Sequence, residues 1–448
     1  MESARRGASW SSKLKRMIWT LTPAMVVAVF VGAIASQADA PAGQGIFRDA
    51  DLFSTALVKV RNEYVSEVND REAIQAAIEG MLSSLDPHSG YLNEEEFKEL
   101  EVQTRGEYTG LGLEVEAKDS FVRVVSPIDG APAARAGIKP GDYLTHIDGQ
   151  SIIGVGLDQA VSRMRGEIGT NITLTVAREG EEPREVTLTR EKINQRSVKY
   201  EIKDDIGVIR VSGFSETTGR SLVEAVQKVK NELGGRLRGV VLDLRNNPGG
   251  LLEQAVDVAD AFLDGGEVVS TRGRKPTANF SFPAAPGDML ENVPIVVLIN
   301  NGSASASEVV AGALQDRNRA LIMGQVSFGK GSVQTLYELN GGRDGALRLT
   351  TARYYTPAGR SIQGIGIEPD IEVADKRIDR SKLKLLGLSE ADLPGALRNE
   401  NGEVRRGPHV PADEPPENWD ASQDYQLKRA LDYLREGRVQ DRLMAKAG

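Results

Sequence analysis

Between residues 205 and 316 short apolar runs alternate with amphipathic helical stretches, and this order restricts the fold more than any other feature of the chain. Val208–Val211, Gly239–Leu244 and Pro294–Ile299 read as strands, Gly239–Leu244 being of the buried type. Ser221–Glu232, Leu251–Phe262 and Ala304–Leu314 read as helices. Strands alternating with helices argue an α/β layer with parallel strands. Catalytic groups in such sheets gather at the carboxyl ends of the strands.

The remaining sequence divides by texture. Its 448 residues are too many for one compact core. Residues 41–105 read as a helical region: Leu52, Ala56, Leu57, Val60 and Tyr64 keep helical spacing, as do Ala73, Ile74, Ala77, Ile78, Met81 and Leu82. Asp86-Pro87-His88-Ser89-Gly90 interrupts them with turn residues, and Asn93-Glu94-Glu95-Glu96 looks like a capped helix start. Residues 106–190 change to short alternating strands and glycines, the length of one small domain. Residues 191–376 hold the α/β region. Residues 377–448 are polar and proline-rich, then helical from Ser422 to Met444. A thin stripe of Ala430, Leu431, Leu434 and Val439 there is expected to serve self-association.

The composition closes several routes. Without cysteine there is no thiol nucleophile, thiolate metal site or disulfide. His88, His146 and His409 are far apart and form no metal-binding pair. A net charge of −9 with no obviously basic face argues against a nucleic-acid partner. No cofactor is expected. At the N-terminus, Arg5, Arg6, Lys13, Lys15 and Arg16 precede the apolar run Met17–Ile34 and the small residues Ala35 to Ala40. That is the grammar of a signal peptide over residues 1–40, cut after Ala38 or Ala40, or of an uncleaved signal anchor. Either puts the chain in the periplasm or on the outer face of the membrane.

Two loops carry chemistry. Asp243-Leu244-Arg245-Asn246-Asn247-Pro248-Gly249-Gly250 and Asn300-Asn301-Gly302-Ser303-Ala304-Ser305-Ala306-Ser307-Glu308 each join a strand to a helix. Adjacent glycines admit a close backbone approach, and a helix start has free N–H groups, so together they can hold an oxyanion. Serine is also a common helix cap, so the second loop alone is ambiguous. Lys330, flanked by Gly329 and Gly331 after an apolar run, changes that. A lysine sheltered from water sheds its proton more easily and can serve as base for a serine hydroxyl. Gly324 to Lys330 also begins like a phosphate-binding loop, but Gly331 stands where Ser or Thr must hold magnesium.

Four stretches, DLRNNPGGLL (243–252), NGSASASEVVAGALQD (301–316), SFGKGSVQ (327–334) and TARYYTPAGRSIQGIGIEPD (351–370), with LDPHSGYL (85–92) ahead of them, resemble the carboxy-terminal processing, or tail-specific, serine peptidases. The resemblance covers roughly residues 50–375 and implies a crotonase-like (ClpP/crotonase-type) α/β core with an inserted PDZ domain and a helical N-terminal region. It implies Ser305 as nucleophile, Lys330 as general base and Gln334 as the residue orienting that lysine. It implies an oxyanion hole of the Ala306 N–H and one from Gly249 or Gly250, which the sequence leaves open. Glu308 and Asp316 lie in the same motif, where capping or surface roles are as good a reading as catalysis.

Residues 106–190 resemble a PDZ domain. Gly110, Leu111, Gly112 and Leu113 then match its carboxylate-binding loop, where a substrate tail adds as a strand. One of the two leucines is expected to be plain core. Arg165, at the end of the PDZ helix, is a candidate contact to the peptidase, and His88 a structural turn residue. The expected activity is cleavage of envelope proteins near their C-termini. Its partners would be protein or peptide substrates with accessible C-termini, a second copy of the chain, and an adaptor protein. The alternative is a non-catalytic PDZ scaffold or chaperone in the cell envelope.

Overall fold

The computed structural model describes residues 43–447 apart from 119, 129, 179, 195–196, 292, 378–388 and 408–410. The segment 1–40, read above as an export signal, lies outside the described residues. Among those described, no helix is long and apolar enough to cross a membrane. The described residues up to Ala77 form one unit and those from Ile78 a second. The first contains the helix Gly43–Glu63 and the start of Asp70–Ser83, with Arg61 paired to Asp70 at 3.4 Å.

In the second unit the expected α/β layer is a six-stranded sheet ordered Val198–Lys203, Ile206–Val211, Gly239–Asp243, Ile295–Ile299, Ala320–Gly324, Ile371–Glu372. Only the first pair is antiparallel. The strands Gly239–Asp243, Ile295–Ile299 and Ala320–Gly324 are buried throughout, which requires cover on both faces. One face carries the helices Thr218–Leu233, Leu252–Asp260 and Ala306–Asp316 through Leu222, Val226, Val229, Val258, Val309 and Val310. The other is covered by Tyr425–Arg435 and Arg438–Ala447. Ala430, Leu434 and Val439 are buried there against Val241, Val296, Leu298 and Leu321. The stripe expected to serve self-association therefore covers this chain's own sheet. The single helix expected over Ser422–Met444 is two, separated at Gly437, whose φ is 72°.

A second, antiparallel sheet stands beside it, ordered Gly90–Leu92, Ala346–Tyr355, Gly266–Gly273, Phe280–Ala284, with Ser332–Glu338 also paired to Ala346–Tyr355. Gly90–Leu92 brings the His88 turn onto the sheet that carries residues just after Lys330. Asn93 caps the next helix, Glu94–Arg105, in a reciprocal box with Glu96.

Residues 107–194 begin and end in paired strands, Glu107–Gly110 against Glu191–Asn194, so the chain enters and leaves this module at one place. Between them lies a sheet ordered Leu113–Lys118, Phe121–Pro127, Tyr143–Ile147, Asn171–Ala177, Arg184–Thr189, with one longer helix, Leu157–Met164. Leu113–Lys118 is an edge strand, paired on one side only.

Candidate active site

Ser305 ends the loop after Ile295–Ile299 and caps the helix Ala306–Asp316. Its φ is 53° and its ψ −113°, backbone that a non-glycine residue adopts only when its surroundings hold it there. The neighbouring serines hold it. Ser303 Oγ donates to the Leu244 carbonyl at 2.8 Å and Ser307 Oγ to the Asn247 carbonyl at 2.9 Å, while Ala304 N donates to that same Asn247 carbonyl at 3.0 Å. The two loops singled out in the sequence are thus fastened to each other, with Ser303 and Ser307 as the fasteners.

Gly249 N–H is taken by Asn247 Oδ1 at 2.9 Å. Neither Gly250 N–H nor Ala306 N–H has an acceptor among the described residues. Gly250 has a φ of 141°, and a Cβ there would stand 2.1 Å from the Phe214 carbonyl oxygen, so only glycine fits.

Glu308, which sequence reasoning left as a capping or surface residue, is fully buried and holds the two halves of the site together. One carboxylate oxygen accepts from Ser305 N at 2.8 Å and Lys330 N at 2.9 Å. The other accepts from Ser327 Oγ at 2.5 Å and Gly329 N at 2.6 Å. Burial pushes its carboxyl up to about 7, against four hydrogen bonds that each pull it down. The signal was present in the sequence: a serine followed three residues later by glutamate is a capping box.

Lys330 and Ser305 line one cleft of about 1640 Å³ with Gly249, Gly250, Phe282, Val333, Gln334 and Tyr354. Burial and then the Arg348 guanidinium hold the Lys330 amine below its ordinary value, while Glu390, Glu308 and Asp86 pull the other way. Gln334 Nε2 donates to Ser332 Oγ at 3.0 Å and Thr350 Oγ1 at 3.2 Å, and Thr350 Oγ1 donates in turn to Asp86 at 3.0 Å. The buried Tyr354, another residue that sequence reasoning missed, lines the same cleft as Ser305; burial raises its phenol to about 12, with the Ser305 side chain pulling the other way. Its backbone N–H donates to the Gly331 carbonyl at 2.8 Å. Asp316 sits at the far end of the helix, where it pairs with Arg360 and accepts from Ala358 N at 2.9 Å. It fastens a turn there, away from the cleft lining.

In residues 107–194, Leu111 is core, with 3% exposure, whereas Leu113 is half-buried with Val115, Leu157 and Val161. Gly110 and Gly112 are buried. The carbonyls of Leu111 and Gly112 accept from Ala133 N at 3.0 Å and Ile128 N at 2.8 Å. Arg165 follows the helix Leu157–Met164, lines the Ser305 cleft and pairs with Glu99 at 3.7 Å.

A model for peptidase family S41 matches residues 205–373, a PDZ domain model residues 123–178, and a model for the N-terminal domain of the activating protease CtpB residues 33–96. The chain is 47% identical to a carboxy-terminal-processing protease of Bartonella bacilliformis over 394 residues, 88% of this chain and 89% of that one. It is 41% identical to a probable CtpA-like serine protease of Staphylococcus aureus (strain MRSA252) over 317 residues, 70% of this chain and 62% of that one. The solved photosystem II D1 C-terminal processing protease aligns with a TM-score of 0.44 and 30% identity, covering 77% of this chain and 92% of its own.

Proposed function

The chain belongs to peptidase family S41, the carboxy-terminal-processing serine proteases, and on that premise we propose that it cuts peptide bonds with Ser305 as nucleophile and Lys330 as general base. Neutral Lys330 Nζ takes the Ser305 hydroxyl proton as Oγ attacks the scissile carbonyl. The oxyanion that forms is held by the N–H groups of Ala306 and Gly250, the pair without acceptors. Collapse breaks the C–N bond, the leaving amine takes the proton from Lys330, and water then hydrolyses the acyl-enzyme by the same path. Gln334 orients the lysine from the following strand.

One observation carries this reading. A single buried carboxylate, Glu308, accepts a hydrogen bond from the backbone of the nucleophile and another from the backbone of the base. A scaffold that only held partners would have no use for tying those two residues to one anchor.

Residues 106–190 act as the PDZ domain that captures substrate C-termini, the tail adding along the free edge of Leu113–Lys118 with its last side chain near Leu113, Val115, Leu157 and Val161. The core is of the crotonase-like kind, within residues 191–376, between a helical region at 41–105 and a C-terminal region at 377–448. Substrates are envelope proteins met outside the cytoplasmic membrane, with self-association and an adaptor as further partners.

The test is mass-spectrometric digestion of an unfolded, C-terminally tagged protein. Ser305→Ala and Lys330→Ala each lose cleavage while melting as the wild type does. Full activity in either variant overturns the dyad.

A further inference from the structure

The loop that carries Lys330 is clamped from two sides. Glu308 holds one side, through Ser327, Gly329 and Lys330. The other side is held by residues 389–405, in a stretch whose composition reads as a polar tail. Glu390 N donates to the Phe328 carbonyl at 3.0 Å. Arg405 reaches the carbonyls of Ser327 at 2.6 Å and Phe328 at 3.0 Å. Gly331 N donates to Gln363 Oε1 at 3.0 Å, and Gln363 Nε2 donates to Glu390 Oε1 at 2.9 Å. The other Glu390 oxygen meets His88 Nε2 at 2.7 Å. The side chain of Glu390 is wholly buried, so its charge acts on its neighbours with little screening by water.

We propose that residues 389–405 are a working part of the catalytic site and that Glu390 is a positioning residue for Lys330. It fixes the lysine's loop through Phe328 and Gln363 and adds a negative charge to the amine's surroundings. The inference rests on Lys330 being the base. Each group facing that amine has a place in it. Arg348, from the strand Ala346–Tyr355, disfavours the charged amine; Glu390, Glu308, from the nucleophile helix, and Asp86, from the turn before Gly90–Leu92, favour it. His88 serves both sides, pairing with Glu390 through Nε2 while its carbonyl accepts from Arg348 Nε at 2.8 Å. The histidine of the 85–92 motif thereby acquires a role that is neither nucleophile nor base.

The electrostatic sign follows. Hydrolysis needs neutral Lys330, so kcat/KM rises with pH through the titration of its amine. Glu390→Gln removes a charge that favours the ammonium, while its amide oxygen still accepts from Gln363 and its NH2 donates to His88 Nε2 once that ring takes the Nδ1–H tautomer. In the full-length protein the acid limb of the kcat/KM profile then moves to lower pH. Glu390→Asp keeps the charge and withdraws the carboxylate by one methylene; it leaves the limb in place and lowers the plateau kcat about tenfold. A purely structural role would lower melting temperatures without moving the limb. An unmoved limb in Glu390→Gln together with a wild-type plateau in Glu390→Asp overturns the proposal, as does loss of cooperative unfolding in both variants. Lys330→Ala run alongside separates the two readings. If it is inactive while Glu390→Gln leaves the limb in place and Glu390→Asp keeps the wild-type plateau, only the role of Glu390 fails; if it is active, the dyad fails and this inference with it.

Discussion

Replacing Glu308 by alanine removes the acceptor shared by four donors: the N–H groups of Ser305, Gly329 and Lys330, and the Ser327 hydroxyl. Ser327 can turn to other partners, but the three N–H groups are fixed by the backbone. A buried donor without a partner costs about 1–3 kcal/mol, so even with water entering the space the loss at pH 8 is about 3 kcal/mol or more. The same change removes the one bond made by the Ser305 N–H, leaving its φ of 53° to be held by Ser303 and Ser307 alone. With Ser305 and Lys330 as the proposed nucleophile and base, their displacement lowers kcat about 100-fold.

The pH dependence of this loss identifies its source. In the folded protein the Glu308 carboxyl is raised from 4.5 to about 7 by burial. Between those values the folded state binds more protons than the unfolded chain, so this residue's stabilisation is fully present below about 4.5 and declines as pH rises to 7. At about 1.36 kcal/mol per pH unit the decline is about 3 kcal/mol. Alanine cannot titrate, so the gap between wild type and Glu308→Ala widens as pH is lowered from 7 toward 4.5. Urea unfolding at several pH values, paired with peptide cleavage at each, measures both quantities. A variant within about 1 kcal/mol of wild type at pH 8, or a gap that does not change with pH, would refute the assignment of Glu308 as a shared buried anchor.

Two further outcomes follow from the geometry. Gly250→Ala puts a Cβ 2.1 Å from the Phe214 oxygen, where Phe214 N–Gly249 O and Leu251 N–Phe214 O bonds prevent relief; urea unfolding should show a loss of about 3 kcal/mol and cleavage assays a kcat about 100-fold lower, through the displaced oxyanion donor. Arg165→Ala breaks only an ion pair between half-exposed partners, so stability changes by less than about 1 kcal/mol. Its effect should appear in cleavage instead, as a lower kcat/KM for tailed substrates than wild type has; unchanged cleavage would remove Arg165 from the cleft's working residues.

The parallel sheet was readable because its strands carry the signal of two-sided burial. Gly239–Asp243 and Ile295–Ile299 agree with the apolar runs to within a residue. The antiparallel sheet was not. Phe280–Ala284 is mostly exposed and Ser332–Glu338 changes from buried to exposed along its length, so neither has an uninterrupted period of two. Its order depends on pairings such as Gly90 with Arg348, far apart in sequence. Glu308 was legible as a cap but not as an anchor, because its partners at 327–330 lie on another loop. Residues 389–405 left no trace at all. They hold the Lys330 loop largely through backbone carbonyls, and a carbonyl has no residue type to read.

That last point explains why the site is built as it is. A lysine stem has four rotatable carbons and cannot be held as a histidine ring is, so its backbone must be fixed instead. From Ser327 to Gly331 almost every peptide group is engaged. Phe328 N donates to the Ser303 carbonyl at 2.9 Å, Phe328 O accepts from Glu390 N, and Gly329 N and Lys330 N donate to Glu308. Gly331 N donates to Gln363, and Gly331 O accepts from Tyr354 N. To be reached from so many directions the chain must be thin at this point. A Cβ on Gly331 would lie 2.4 Å from Gln363 N, inside the contact that fixes the loop. The glycine after Lys330 is what defeats a phosphate-binding loop at that position, and it is also what lets Gln363, itself bonded to Glu390, close on the lysine's loop.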